Sequence, residues 1–447
     1  MSPLDARPAM YLIYSLLFTL GVVLTAPYYL WRLRGKVTSG AAWRERFGFL
    51  PVSFQQAEGG AIWIHAVSVG ETLAVAGLVK ELQRRYPKRK IFLSHVTPAG
   101  RAAGETRLPS LAGRFYLPLD WSWSVRRTLS RIRPALLLIV ETELWPNLLQ
   151  AAHECGARVV VVNARLSDRS LSRYRLVRPF MRRVLENVDL ICAQSAREVE
   201  RFRSLGAETE RVAVTGNLKF DATPPEAGEL AARLEKALQL APRSPVIVAA
   251  STMPGEETLL LSAWAEIRRV HPQALLILAP RHPARFEAVA QLLARERLSF
   301  VRRTALEENE QKLASQISSA AILLLDTIGE LAGIFKVGDA IFVGGSLVPT
   351  GGHNLLEPAF WAKPIVFGPH MENFQDIAQL FVQAGAALQV PDLQSLSWTI
   401  QTLLADAARR QQLGLAAKQL LEQGSGATER VLGQMKEWLD EGTPTRA

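Results

Sequence analysis

Unbroken apolar runs, separated by longer stretches of helical pattern, constrain this chain more than any other feature. ALLLIV (135–140) and VVVV (159–162) are the plainest examples. A strand on the face of an antiparallel sheet alternates apolar and polar residues. A run apolar at every position suits a strand buried on both faces, as in a parallel sheet covered by helices. Runs of this kind recur at 61–67, 90–94, 114–117, 135–140, 158–162, 190–193 and 211–214. Between them lie helical patterns such as 71–85, where Leu73, Leu78, Val79 and Leu82 share a face.

The stretch 222–243 (ATPPEAGELAARLEKALQLAPR) interrupts this rhythm with a Pro-rich entry and a charged helix. The alternation then restarts at 245–250, 274–279, 321–325, 340–343, 364–367 and 387–390, and the tail from Ser395 is helical. The expected class is α/β, with two doubly wound, Rossmann-like parallel-sheet domains facing a central cleft. The expected division is an N-terminal membrane anchor over 1–36, a first domain over 37–222 and a second over 223–447.

The anchor rests on the absence of any charged residue from Pro8 to Trp31, 24 positions in all. As a helix that segment covers roughly 36 Å, enough for a hydrocarbon core of about 30 Å. Tyr11 and Tyr14 lie near one end and Tyr28, Tyr29 and Trp31 near the other, as in an interfacial aromatic belt. Arg32, Arg34, Lys36, Arg44 and Arg46 follow, which places the body of the protein on the cytoplasmic side of an inner membrane. A cleaved signal peptide fits poorly, because aromatics and arginines stand where small residues belong. Pro27 keeps a second geometry open, in which the helix lies in the interface without crossing.

The charge balance is basic, 52 Lys+Arg against 42 Asp+Glu, which points to an anionic partner. Seven arginines and one aspartate fall within 165–183 (RLSDRSLSRYRLVRPFMRR). Arg165, Arg169 and Arg173 are four apart and are expected to line one helical face, a ridge for lipid headgroups or substrate phosphates. Nucleic acid is disfavoured, since base-stacking aromatics are not interleaved with these arginines. The two cysteines, Cys155 and Cys192, rule out a disulfide scaffold.

Ligands of doubly wound sheets sit at the carboxyl ends of the strands. After the first run, His65–Thr72 (HAVSVGET) offers Glu71 in two readings. It completes a capping box with Ser68, or it is a general base held ionised by the helix dipole. After the fourth run, Glu141 and Glu143 stand two apart, so that an extended chain would send one inward and one toward the cleft. No ligand spacing there suggests a metal, and no cofactor is expected. In the second half, Arg281 (PRHP) suits a phosphate or carboxylate, and Gly329 and Glu330 (DTIGEL) follow a strand. Gly351, Gly352, His353, Asn354 and Glu357 (GGHNLLE) place a glycine turn before a helix expected to start near His353. Together they describe a nucleotide-sugar pocket. GxxxxGK[ST] is missing, as is a GxGxxG after a strand, so P-loop and dinucleotide chemistry are disfavoured.

In combination, WRERFGFLP, HAVSVGET, ETELWPN, NARLSDRS, TGNLKFD, PRHPARF, DTIGEL, FVGGSLVPTGGHNLLEP and FGPHMENF resemble the 3-deoxy-D-manno-octulosonic acid (Kdo) transferase family. The resemblance runs from about Tyr11 to the C-terminus. It implies a GT-B glycosyltransferase, membrane-associated and acting in lipopolysaccharide biosynthesis; fixed charges at the leaving phosphate make a divalent metal unnecessary, so a metal-independent enzyme is expected. The implied donor is CMP-Kdo, and the implied acceptor is the bisphosphorylated lipid A precursor (lipid IVA). On this chain it implies Glu71 as base, with Arg281, Gly329, Glu330, Asn354 and Glu357 at CMP. Ser251, Thr252 and Lys219 are expected near the donor's carboxylate or phosphate, and Glu141, Glu143 and the arginines near the acceptor. The alternatives are another nucleotide-sugar enzyme of this fold, such as a heptosyltransferase or epimerase, and a non-catalytic membrane-tethered nucleotide-binding scaffold.

Overall fold

The computed structural model describes residues 6–32, 40–54, 60–221 and 226–440. Arg34 and Lys36, and the start of the expected linker at 222–225, lie outside the described residues. The chain divides into two compact units, Met1–Ala222 with Gly424–Ala447, and Thr223–Gln423.

The first unit is built on seven parallel strands: β1 (Ala61–His65), β2 (Ile91–His95), β3 (Gly113–Tyr116), β4 (Pro134–Val140), β5 (Arg158–Ala164), β6 (Leu190–Ala193) and β7 (Val212–Val214). Their order is β3-β2-β1-β4-β5-β6-β7, so the winding reverses between β1 and β4. Both faces are covered, as the apolar runs require. Ala61 and Trp63 of β1 enter one hydrophobic layer with Phe92 and Phe115, and Ile62 and Ile64 enter the other with Leu78 and Leu82.

The second unit repeats the plan with β8 (Val246–Thr252), β9 (Leu275–Pro280), β10 (Phe300–Arg302), β11 (Ile322–Leu324), β12 (Ala340–Val343), β13 (Ile365–Phe367) and β14 (Leu388–Gln389). The order β10-β11-β9-β8-β12-β13-β14 reverses between β8 and β12. Only β10 has no counterpart among the expected strands. It is a three-residue edge strand, half-buried and ending in an arginine, so it carries no apolar run.

The C-terminal tail, expected with the second domain, packs on the first unit. Ala427, Val431, Leu432, Met435 and Leu439 join the layer that holds Val75 and Leu78. Asp221 fixes the crossing: its carboxylate accepts from the amides of Gly426 at 2.6 Å and Ala427 at 3.2 Å, and from that of Thr428. Periodicity announces an amphipathic helix but not which core it will cover.

The N-terminal helix, Ala6–Arg32, continues through Pro27. Its stretch Ala9–Pro27 is long and apolar enough to cross a membrane. One side of it is docked on the first unit. Tyr14 donates to Asp120 Oδ2 at 2.8 Å, Trp121 Nε1 donates to Thr19 Oγ1 at 2.9 Å, and Asn187 donates to the Tyr11 hydroxyl at 2.9 Å. Tyr11 and Tyr14 also pack on the Phe180 ring, and Phe18 on Trp121. The other side exposes Leu12, Ile13, Leu16, Leu17, Leu20, Val23 and Leu24.

Candidate functional site

In a doubly wound sheet, the two strands flanking the reversal diverge at their carboxyl ends and leave a crevice there. In the first unit those ends are β1 and β4, and the residues that follow them bring acids together. After β1 the chain turns into helix Val69–Arg85, with Ser68 as N-cap. Glu71 forms the first half of a capping box, its amide approaching Ser68 Oγ at 3.4 Å, while the Ser68 hydroxyl donates to Oε1 at 2.9 Å. Its Oε2 accepts from the Val67 amide at 2.7 Å. Each carboxylate oxygen still has a lone pair for an incoming hydroxyl, so capping and proton abstraction are compatible.

The helix dipole does not keep this carboxyl acidic. Burial pushes the Glu71 pKa up to about 7, the amide of Val67 works against the rise, and the charges of Glu141 and Glu143 add to it. A carboxyl in that range is poised for general-base work near neutrality. Beneath the turn, burial lowers His65 to about 3 and His95 to about 4, so both rings are neutral packing.

Glu141 follows β4 in a left-handed conformation, φ 61°, so the extended geometry expected for the Glu141/Glu143 pair is not present. Its carboxylate lies 3.1 Å from Lys219 Nζ and 3.0 Å from Arg165 Nε. Lys219, expected near the donor, therefore belongs to the first unit and faces an acid. Arg165 precedes helix Asp168–Leu176 and leaves the expected ridge, because its guanidinium turns to Glu141. Arg169 and Arg173 remain on that helix, exposed. Burial pushes Glu143 upward as well.

In the second unit the reversal lies between β8 and β12. Ser251, at the tip of β8, is left-handed with φ 54°. Thr252 is buried, its hydroxyl 3.3 Å from Glu257. Glu256 is a residue that sequence reasoning missed. Wholly buried, it accepts from the amides of Gly345 (2.6 Å), Ser346 (3.0 Å), Leu347 (3.0 Å) and Met253 (3.1 Å). Successive amides of this sort form an anion-binding nest. Here an internal carboxylate fills the nest and pins the GGSL turn after β12.

That turn organises its neighbours. The Gly345 carbonyl accepts from the Gly352 amide at 2.8 Å, and the Ser346 carbonyl from the His370 amide at 2.9 Å. Gly351 and Gly352 adopt φ of 93° and 70°, and a Cβ on Gly351 would stand 2.2 Å from the Asn373 side chain. The helix expected to start near His353 begins at Leu356 and has five residues. Asn354 lies just before it, its side-chain oxygen accepting from the Leu356 amide at 3.1 Å and its amide group 3.3 Å from Glu357. His353 lies close enough to Arg281 and His282 for their charges to act on it; burial chiefly, then those charges, lowers its pKa to about 4. Arg281 is exposed, its backbone amide held by the Thr252 carbonyl at 3.0 Å. Glu330 is not open to a ligand's hydroxyls alone, since Arg303 grips it at 2.7 and 3.0 Å. Gly329, with φ 94°, has open space where a side chain would stand. Among the described residues no group of three or more His, Cys, Asp or Glu is placed to hold a metal ion.

Two doubly wound parallel units in succession have the architecture of the GT-B fold. The same fold occurs in UDP-GlcNAc 2-epimerase from Neisseria meningitidis, solved bound to UDP-GlcNAc, at TM-score 0.52 and 15% identity over 84% of this chain and all of that one. Residues 41–222 match the family described as 3-deoxy-D-manno-octulosonic-acid transferase (kdotransferase). The chain is 35% identical to the 3-deoxy-D-manno-octulosonic acid transferase of Haemophilus influenzae, covering 89% of this chain and 91% of that relative. It is 36% identical to the one of Bordetella pertussis, covering 94% and 99%. The chain belongs to the 3-deoxy-D-manno-octulosonic acid transferase family, and is a glycosyltransferase.

Proposed function

We propose that the protein transfers Kdo from CMP-Kdo to a hydroxyl of the lipid A precursor, with inversion, at the cytoplasmic face of the inner membrane. The observation that carries this reading is Glu71, a desolvated carboxyl at the reversal of the first sheet, with a pKa of about 7. Glu71 takes the proton of the acceptor hydroxyl as its oxygen bonds to the anomeric carbon. The bond from that carbon to the phosphate oxygen breaks, and CMP leaves with the electron pair. One base suffices for a single displacement, whereas a glycosidase needs two carboxylates. Arg281 and the backbone of Gly351–Asn354 meet the charge that builds on the departing phosphate. Asn354 and Glu357 hold the ribose, and the turn pinned by Glu256 keeps these groups in place.

The N-terminal helix seats the enzyme in the membrane plane. What supports this is its docked side: a helix hydrogen-bonded to Asp120, Trp121 and Asn187 over Tyr11–Thr19 offers the bilayer one apolar stripe. Beside Phe180, the exposed Leu176 and Val177 stand among Arg173, Arg175 and Arg178, a composition suited to an anionic lipid surface and a bisphosphorylated acceptor. Mass spectrometry of the product formed from CMP-Kdo and lipid A precursor tests the whole reading. A product heavier by one or more Kdo units is expected, and unchanged precursor would refute it.

A further inference from the structure

Helix capping accounts for Glu71 but not for Glu141. A non-glycine residue enters the left-handed region only where its surroundings over-determine it, and such residues gather at functional sites. At Glu141 three contacts do this. Its amide donates to the Val162 carbonyl at 2.9 Å, and its two carboxylate oxygens meet Lys219 and Arg165. The neighbouring strand tip carries a second such residue, Asn163, with φ 55°. Its side-chain oxygen accepts from the Leu218 amide at 2.9 Å and so fixes the turn that presents Lys219. Two left-handed residues at adjacent strand tips thus serve one half-buried carboxylate.

β1 and β4 are neighbours in the sheet, so Glu141 stands at the strand tip next to the turn that carries Glu71. The charged groups acting on Glu71 are Glu141 and Glu143. Lys219 and Arg165 pair with Glu141, the Glu143 charge raises the pKa of Tyr174, and the histidines under the turn are neutral. Glu71 itself is held by an amide and a hydroxyl, both uncharged. Two adjacent acids with unlike partners divide their roles, one fixed as a charge and one free to take a proton.

We propose that Glu141 is a positioning residue for the transfer: a negative charge locked between Lys219 and Arg165 that keeps the neighbouring Glu71 basic enough to deprotonate the acceptor. This rests on Glu71 being the base. The test is kcat/KM against pH for the full-length enzyme with CMP-Kdo and lipid A precursor, in wild type, Glu141→Gln, Glu141→Met, Glu141→Asp and Glu71→Gln. The wild-type rate should rise through a midpoint near 7. Both neutral variants should move that midpoint down by about half a pH unit or more and lower the plateau, and Glu141→Asp should keep the midpoint. A purely structural Glu141 would lower the rate at every pH and leave the midpoint in place, which overturns the inference alone. A rising limb that survives in the residual activity of Glu71→Gln removes the base itself, and the role of Glu141 with it.

Discussion

The two sheet reversals use their carboxylates in opposite ways. In the first unit, Glu71 is partly desolvated with uncharged partners, and Glu141 stands near it between two cations. In the second, Glu256 is wholly buried and spent on four backbone amides. The first arrangement leaves a proton acceptor poised to change charge. The second removes an acid from chemistry and turns it into scaffolding for glycine turns. The same residue type after the corresponding strand of two similar folds is therefore left open to a proton or tied into the scaffold according to how many N–H groups satisfy it.

The largest expected effect tests the reactive side. Glu71→Gln keeps much of the cap and should lower kcat by about 10²–10⁴, the scale of a lost general base, with CMP protection of the protein unchanged. Normal turnover would reduce Glu71 to a helix cap. On the inert side, Glu256→Ala strands buried amides and should cost about 3 kcal/mol, read as a fall in Tm of roughly 6–12 °C in a unit of this size. A stable Glu256→Ala protein that loses kcat instead would erase the contrast. Arg281→Ala should weaken CMP binding by about 1.5–3 kcal/mol in calorimetry, since a charge-assisted hydrogen bond is lost. Unaltered affinity would take Arg281 out of the donor site.

The smallest effect concerns stability and pH. Glu71 has an ordinary value of 4.5 and is raised to about 7 by burial, so the folded protein binds an extra proton between those values. Stability from this group is therefore present below about 4.5 and declines as pH rises to 7. Glu71→Gln should raise Tm relative to wild type at pH 8 and bring no gain at pH 4.5. A gain independent of pH would mean that the carboxyl is not held in a desolvated state.

Much of this was legible in the sequence. Runs such as ALLLIV announced strands covered on both faces, and HAVSVGET announced a strand, a turn and a capped helix. Glu71 and the GGHN turn were nominated by their place after a strand. Other features were not legible, for identifiable reasons. Arg165 fits a helical spacing with Arg169, yet it precedes the helix, which Ser167 caps at Asp168, and its guanidinium turns to Glu141. Lys219 is fifty-odd residues from Arg165 in sequence and shares its partner. Glu256 sits in a segment with no motif, and its amide partners lie about 90 residues on.

The amino-acid order by itself determined the two parallel sheets, the apolar N-terminal helix and the family, because local hydrophobic pattern and motif spacing are properties of short segments. Tertiary structure alone decided which carboxyl would be raised toward neutrality, where the C-terminal helix would pack, and which arginines would be exposed. Those outcomes depend on desolvation and on partners brought together from distant segments, and neither is encoded at any one position.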